Sequence, residues 1–281
     1  MELYVFGIVI LAAMLHALWN FVTKKISGNL AVIWIGLCGS SLLITPVSLV
    51  LLFKEEATSS ALPYIIATGF IHAGYFYFIG KSYEKGAISI VYPVARGVGV
   101  CGTAITAIFL LSEKISAIGG AGILFVCCGV LSIGSRETAT RESKQAFCYA
   151  LIVGILITGY SIVDKVGVSL INPVVYIWAM FSIAAICLAP VVLMMELNNI
   201  LEIWNRMKWA SGIIGLGSIM TYLLILYAFR LGNVSYAVAV REFAVVIGAA
   251  LGIVFLGEKL TKQKVVGIVA IIVGLILIKL A

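Results

Sequence analysis

Residues Val234–Gly257 read VSYAVAVREFAVVIGAALGIVFLG, an apolar run with Arg241 and Glu242 near its middle. About 20 apolar residues cross the hydrocarbon core of a bilayer as a helix, so this run is long enough to span. An ionised side chain at that depth costs roughly 2.5–3.5 kcal/mol on insertion scales. Two neighbours of opposite sign do not persist there without partners or a task. An earlier stretch, Ala87–Leu111, reads AISIVYPVARGVGVCGTAITAIFLL and holds Arg96 at the matching depth.

The rest of the chain is built of similar runs. Of its 281 residues 63% are hydrophobic and 11% charged, against about 25% charged in soluble domains. Ten segments are apolar over the length of a span: roughly 3–23, 31–53, 61–80, 87–111, 115–134, 146–168, 174–195, 209–229, 233–256 and 262–280. The connections are short, and the runs are too continuous for barrel strands, so backbone groups must be satisfied within helices. The expected fold is all-α and integral to the membrane. The opening MELYVFGIVILAAMLHALWN has no basic start and no small-residue cleavage site. It reads as a retained first helix rather than a signal peptide.

Composition also narrows function. The formal charge of +7 comes mostly from Lys and Arg between the spans, where they set topology and meet anionic headgroups. With no basic surface domain, the expected partner is the lipid bilayer and not nucleic acid. Cys38, Cys101, Cys127, Cys128, Cys148 and Cys187 lie in or beside apolar spans, without CxxC or Cys/His spacing. Neither a disulfide framework nor a zinc site is implied. Gly97–Gly102, GVGVCG, matches the letters of a dinucleotide fingerprint. It lies inside a spanning helix, however, where the required preceding strand is missing. No nucleophile–base set, phosphate loop or metal set appears, so no cofactor and no enzymatic activity are expected.

The chain repeats. With an offset of 145, Arg96–Lys114 aligns on Arg241–Lys259 with seven identities in 19 positions, among them Arg96/Arg241, Glu113/Glu258 and Lys114/Lys259. Gly122/Gly267 and Gly129/Gly274 continue the register. The polar stretch SRETATRESKQ (Ser135–Gln145) separates residues 1–134 from 146–281, five spans on each side. An odd number of spans per copy makes the second copy enter the membrane from the opposite face. Two inverted five-helix repeats around a central cavity follow, an architecture of many secondary transporters. With Arg96 and Arg241 left out, the first, third, fifth, seventh and ninth loops carry 12 Lys and Arg against five on the other side. That count puts both termini outside.

Arg96 and Arg241 are the first candidates for chemistry. A guanidinium stays charged and forks onto carboxylate, phosphate or phosphonate oxygens. The two can clasp an anion between the fourth and ninth spans; alternatively, Arg96 is neutralised by Glu242 and holds the bundle. Glu242 can also bind a substrate amine or carry a coupling proton. Adjacent helix positions point about 100° apart, so with Arg241 towards a cavity Glu242 faces a neighbouring helix. The first span puts His16, Trp19, Asn20 and Thr23 on one face, a polar-aromatic stripe that turns inward to a cavity or another helix. The matching face of the sixth span carries Ile157, Tyr160, Ser161 and Asp164. Tyr92 lies one turn before Arg96, and Pro93 removes a backbone hydrogen bond beside it. Glu113 and Glu258 sit in short turns, followed by Ser116 and Thr261 as N-caps of the fifth and tenth spans.

ALWNFVTKK (Ala17–Lys25), YPVARG (Tyr92–Gly97) with LLSEKIS (Leu110–Ser116), and VREFAVVIGAALGIVFLGEKLT (Val240–Thr261) resemble the drug/metabolite transporter superfamily. The resemblance is to its ten-helix branch with two EamA-type domains. It implies a basket-like bundle with a cavity formed by spans 1, 3, 4, 6, 8 and 9, alternating access, and a small-molecule substrate. Phosphate-translocating members place basic residues on spans 4 and 9, which Arg96 and Arg241 match in kind. YPVARG with REF is similar to EamA-like proteins associated with phosphonate utilisation. Small four-helix drug exporters keep an acid in the first helix, where this chain has His16 and Asn20. Several members have cytosolic termini, opposite to the charge count.

The resulting expectation is a secondary transporter for a small anionic or zwitterionic metabolite, of the amino acid, phosphonate or phosphate-ester type. It would sit in the cell membrane as a monomer or homodimer. Arg96, Arg241, Glu242, Tyr92, Trp19, Asn20 and His16 would line its site. The alternatives are a proton-coupled exporter of lipophilic cations, met by Glu242 or Asp164, and a non-transporting membrane scaffold or receptor.

Overall fold

A computed structural model describes residues 1–54, 58–85, 88–133, 141–196, 198–256 and 260–281. Among these residues every regular element is a helix: α1 (Leu3–Lys25), α2 (Leu30–Leu52), α3 (Thr58–Lys85), α4 (Ile88–Leu110), α5 (Ala117–Ile133), α6 (Arg141–Leu170), α7 (Pro173–Glu196), α8 (Ile200–Leu231), α9 (Val234–Arg241), α10 (Phe243–Leu256) and α11 (Lys262–Leu280). With α9 and α10 taken as one span, nine are long and apolar enough to cross a membrane, and α5, with 17 residues, is a shorter tenth. The protein is a multi-pass integral membrane protein.

Three boundaries differ from the sequence expectation. α6 begins at Arg141, inside the stretch read as a linker. Residues 141–145 read RESKQ, mostly good helix formers, and they carry the helix beyond the apolar zone. Residues 135–140 of that stretch, and the Glu258–Lys259 turn, lie outside the described residues. α8 begins at Ile200 and bends at Met207 (φ −123°, ψ 17°). Its first turns are polar, with an exposed Glu202–Arg206 pair at 2.9 Å one helical turn apart, a spacing that supports an isolated helix. The ninth span is not one helix. At Glu242 (φ −67°, ψ −6°) it tightens for one turn. Glu242 N–H donates to Ala239 O at 3.1 Å, and Val245 N–H donates to Glu242 O at 2.8 Å, the three-residue reach of a 3₁₀ turn.

Packing follows the repeat. α3 lies along α6 as α8 lies along α1, and α8 packs on α2 as α3 packs on α7. α5 and α11 cross each other with glycines at the contact. A Cβ on Gly129 would stand 2.7 Å from Gly267 O, and one on Gly122 would stand 2.8 Å from Gly274 O. Exchanging the repeat-related pairs Gly122/Gly267 and Gly129/Gly274 turns one contact into the other, as a two-fold axis requires. Small residues let helices approach closely where lipid supplies no hydrophobic drive between them. Gly129→Val should therefore pry α5 from α11 and destabilise the protein by about 1–3 kcal/mol. An unchanged midpoint of thermal unfolding in detergent would remove the crossing from the account of stability. Both termini meet on one face, where Lys279 Nζ donates to Met1 O at 3.2 Å.

Candidate functional site

The tightened turn at Glu242 decides what each neighbouring charge can reach. Glu242, fully buried, turns to α4. Its Oε2 accepts from Arg96 Nε at 2.9 Å, and its Oε1 lies 2.5 Å from Arg96 Nη2. This is a buried ion pair held by one charge-assisted hydrogen bond, with the second oxygen and nitrogen in close ion contact. Tyr92 lies one turn away, its ring centroid 5.8 Å from the Arg96 guanidinium carbon, at the range of a cation–π contact.

Arg241 points elsewhere. It is 1% exposed and has no carboxylate partner among the described residues. Its Nη2 reaches Tyr160 OH on α6 at 3.4 Å, and its Nε has no hydrogen-bond partner. It stands on the wall of a cavity of about 30 Å³, enough for a water or two. α1 contributes His16 and Trp19 to this wall, and α3 contributes His72, Tyr75 and Phe76. Tyr160 comes from α6, Phe181 from α7, and Ser218, Thr221 and Tyr222 from α8. The rings brace one another: His72 stacks on Tyr160 at 4.4 Å and meets Tyr222 edge-on at 5.1 Å. Trp19 Nε1 and Thr221 Oγ1, like Arg241 Nε, are buried without a partner. Each such group costs about 1–3 kcal/mol when left unpaired, so this wall carries hydrogen-bonding capacity that the protein itself does not use.

A small cavity lies among the spans that the resemblance points to, and α7 rather than α4 contributes to its wall. The physical reason is the ion pair: Arg96 is drawn onto Glu242 instead of facing the cavity. Of the residues singled out from the sequence, Arg241, Trp19 and His16 meet at the cavity. Arg96, Glu242 and Tyr92 form a second cluster beside it. Asn20 spends its amide on the His16 carbonyl at 2.9 Å, and Thr23 bonds the Trp19 carbonyl at 2.9 Å. Tyr160, His72, Tyr75, Thr221 and Tyr222 were not singled out as site residues. A small signal was available for Tyr160, on the stripe of the sixth span; aromatics elsewhere in apolar spans carry no positional signal.

The bundle is fastened on the face that holds the termini. Glu113, after α4, accepts from Val234 N–H at 2.6 Å, Ser235 N–H at 3.2 Å and Ser235 Oγ at 2.6 Å, satisfying donors at the start of α9. Ser116 caps α5 there by accepting from Gly119 N–H at 3.0 Å, and on the opposite face Thr261 caps α11 by accepting from Lys264 N–H at 3.3 Å. Glu113→Ala should cost about 1–3 kcal/mol, since several bonds to a charged group are lost, and Glu113→Gln should cost less. Equal thermal midpoints for all three proteins would show that the clasp contributes nothing.

Comparison with known proteins agrees with this architecture. Residues 144–280 match the model of the EamA-like transporter family. The second half of the chain is thus similar to an EamA-like transporter unit. An uncharacterised protein of Methanocaldococcus jannaschii is 29% identical to this chain over 138 residues, which is 47% of this chain and 97% of its own. Two bacterial proteins provisionally named for sugar uptake are also similar. That of Lactobacillus johnsonii is 25% identical over 204 residues, 70% of this chain and 69% of its own. That of Listeria monocytogenes is 22% identical over 231 residues, 75% of this chain and 77% of its own. One solved crystal structure superposes on 100% of the chain and 99% of its own, with a TM-score of 0.75 at 14% identity; this likeness concerns the fold. With these spans and the EamA-like match, the protein is a multi-pass transporter of the cell membrane.

Proposed function

We propose that the protein is a secondary transporter that moves a small anionic or zwitterionic metabolite by alternating access, with the solute held at Arg241. The observation that carries this reading is the buried guanidinium without a carboxylate partner, beside the unpaired donors of Trp19 and Thr221. A carboxylate or phosphonate would satisfy all three. Arg96, Glu242 and Tyr92 then hold the wall behind the solute, while Trp19 and His16, propped by Asn20, touch it. The first half of the chain, related to the second by Arg96/Arg241 and the glycine register, acts as a second EamA-like unit across the cavity. Arg241 opposes a lipophilic cation, and Glu242 is already spent on Arg96, so drug export fits this cavity less well.

A neutral sugar is the second reading. Aromatic walls beside Ser218 and Thr221 suit a sugar face and its hydroxyls, and two relatives are named for sugar uptake. A thermal-shift screen of the purified protein separates the two. Ligand at 100 times its dissociation constant stabilises by about 2.7 kcal/mol. A shift with amino acids, phosphonates or phosphate esters supports the anion reading. A shift with sugars alone replaces it, and a shift with lipophilic cations alone overturns both.

A further inference from the structure

Two carboxylates are fully buried among the described residues: Glu242, paired with Arg96, and Asp164 on α6. Among the described residues Asp164 has no cation in contact with it. Its Oδ1 accepts from Tyr176 OH of α7 at 2.8 Å, and its Oδ2 accepts from Tyr222 OH of α8. From α3, Thr68 lies alongside, and its hydroxyl is 3.0 Å from His72 Nδ1. Lys165 is next in sequence, but its ammonium turns to the Phe229 and Gly232 carbonyls, the latter at 2.7 Å. α4 crosses α6 at Gly99 and Gly102, and from there to its end its one titratable side chain is Cys101, whose thiol donates to Cys127 Sγ on α5 at 2.8 Å. From α9 the nearest charge is Arg241, reached through the cavity wall. Arg241 bonds Tyr160 at 3.4 Å, and Tyr160 packs edge-on against Tyr222 at 5.6 Å between ring centroids. Tyr222, which lines the cavity wall, ends with its hydroxyl on Asp164.

The charges of this core add up simply. Arg96 and Glu242 cancel at contact. Arg241 and Asp164 are the other buried pair of opposite sign, separated by tyrosines. In a low-dielectric interior an uncompensated charge is costly. A monoanion arriving at Arg241 would leave Asp164 as that uncompensated charge, unless the carboxylate is neutralised. We infer that Asp164 is a proton-binding site, and that its proton travels with the solute: the anion on Arg241 and the proton on Asp164 enter and leave together. This rests on the anion reading of Arg241. The proton is taken from water on one side and returned to water on the other, and no bond of the solute changes. Protonation also removes the charge that gathers the Tyr176 and Tyr222 hydroxyls, releasing α7 and α8 from α6 and linking the proton to movement of the cavity wall.

Two measurements test this on the full protein in lipid bilayers. Infrared titration should show a carboxylic acid band that appears on acidification in the wild type and is missing in Asp164→Asn. Tyr222→Phe keeps the ring and should change the pH at which the band appears, which covers the case of a poorly folded Asn variant. In proteoliposomes, glycolate, methylphosphonate, L-alanine and D-glucose serve as probes. An inward proton gradient should drive accumulation of an anionic probe in the wild type. In Asp164→Asn exchange should persist and the accumulation ratio fall to about one, the value without coupling. A wild-type band that survives in Asp164→Asn, or unchanged accumulation by that variant, overturns the inference, as does transport of glucose indifferent to the gradient. A band lost in Asp164→Asn with no probe moved supports the proton site and counts instead against the anion reading of Arg241.

Discussion

Arg96→Leu should leave the protein barely able to fold, while Arg96→Leu combined with Glu242→Leu should recover much of the loss. Breaking a buried ion pair by removing one partner costs about 3–5 kcal/mol, because the other charge stays buried and uncompensated. Here the orphan would be Glu242, fully buried at the tightened turn of the ninth span. Replacing both partners by apolar groups removes the desolvation cost together with the attraction, a change often close to neutral. The yield of monodisperse protein and the midpoint of thermal unfolding report both variants. Equal losses in the single and double variants would mean that the pair's geometry, not its charge balance, is what the fold needs. A single variant of ordinary stability would rule out the pair as a strut.

Arg241→Ala should behave in the opposite way, keeping the fold and losing transport. Arg241 makes one long hydrogen bond, to Tyr160 at 3.4 Å, and no ion pair among the described residues. Removing it takes a cation with no ion-pair contact out of the interior, and Asp164, the buried charge of opposite sign, can be neutralised by a proton, so the thermal midpoint should hold or rise. Two bonds from a guanidinium to an anion are worth about 3–6 kcal/mol, a loss of about 10²–10⁴-fold in affinity. Arg241→Lys keeps the charge without the fork and should fall between. Uptake of a solute found in the ligand screen, measured beside the thermal midpoint, checks each variant. Normal transport by Arg241→Ala would end the proposed role.

Much of this was legible in the amino-acid order, for identifiable reasons. A charge inside an apolar run stands out because lipid tolerates so few, so Arg96, Arg241 and Glu242 were visible at once. The repeat surfaced because Arg, Glu-Lys and glycine positions recur where apolar noise does not. Helical spacing placed His16 and Trp19 inward. What the order of residues cannot carry is distance between helices. Arg96 pairing with Glu242 and Arg241 clasping a solute satisfy the same pattern, and the choice turned on a single tightened turn. Asn20 and Thr23 share the inward stripe, yet their own backbone carbonyls satisfy them. Asp164 was noticed as one of several polar residues on its span. Its isolation from any cation became apparent only once Lys165 was seen to turn away.

The turn at Glu242 has a counterpart that is missing. At the repeat offset of 145 the residue facing it is Gly97. In an inverted repeat with identical halves, swapping the halves converts the form open to one side into the form open to the other, and the two are equal in energy. This chain cannot complete the swap. In the mirrored form Arg241 would need a carboxylate at position 97, and glycine offers none. On the alternating-access reading proposed above, the cycle would have a preferred resting end, where the empty protein dwells, with every ~1.4 kcal/mol of difference skewing the populations tenfold. Distances between spin labels placed across the two faces should then report one dominant population without solute, and leaving it is work that the solute and its gradient must supply.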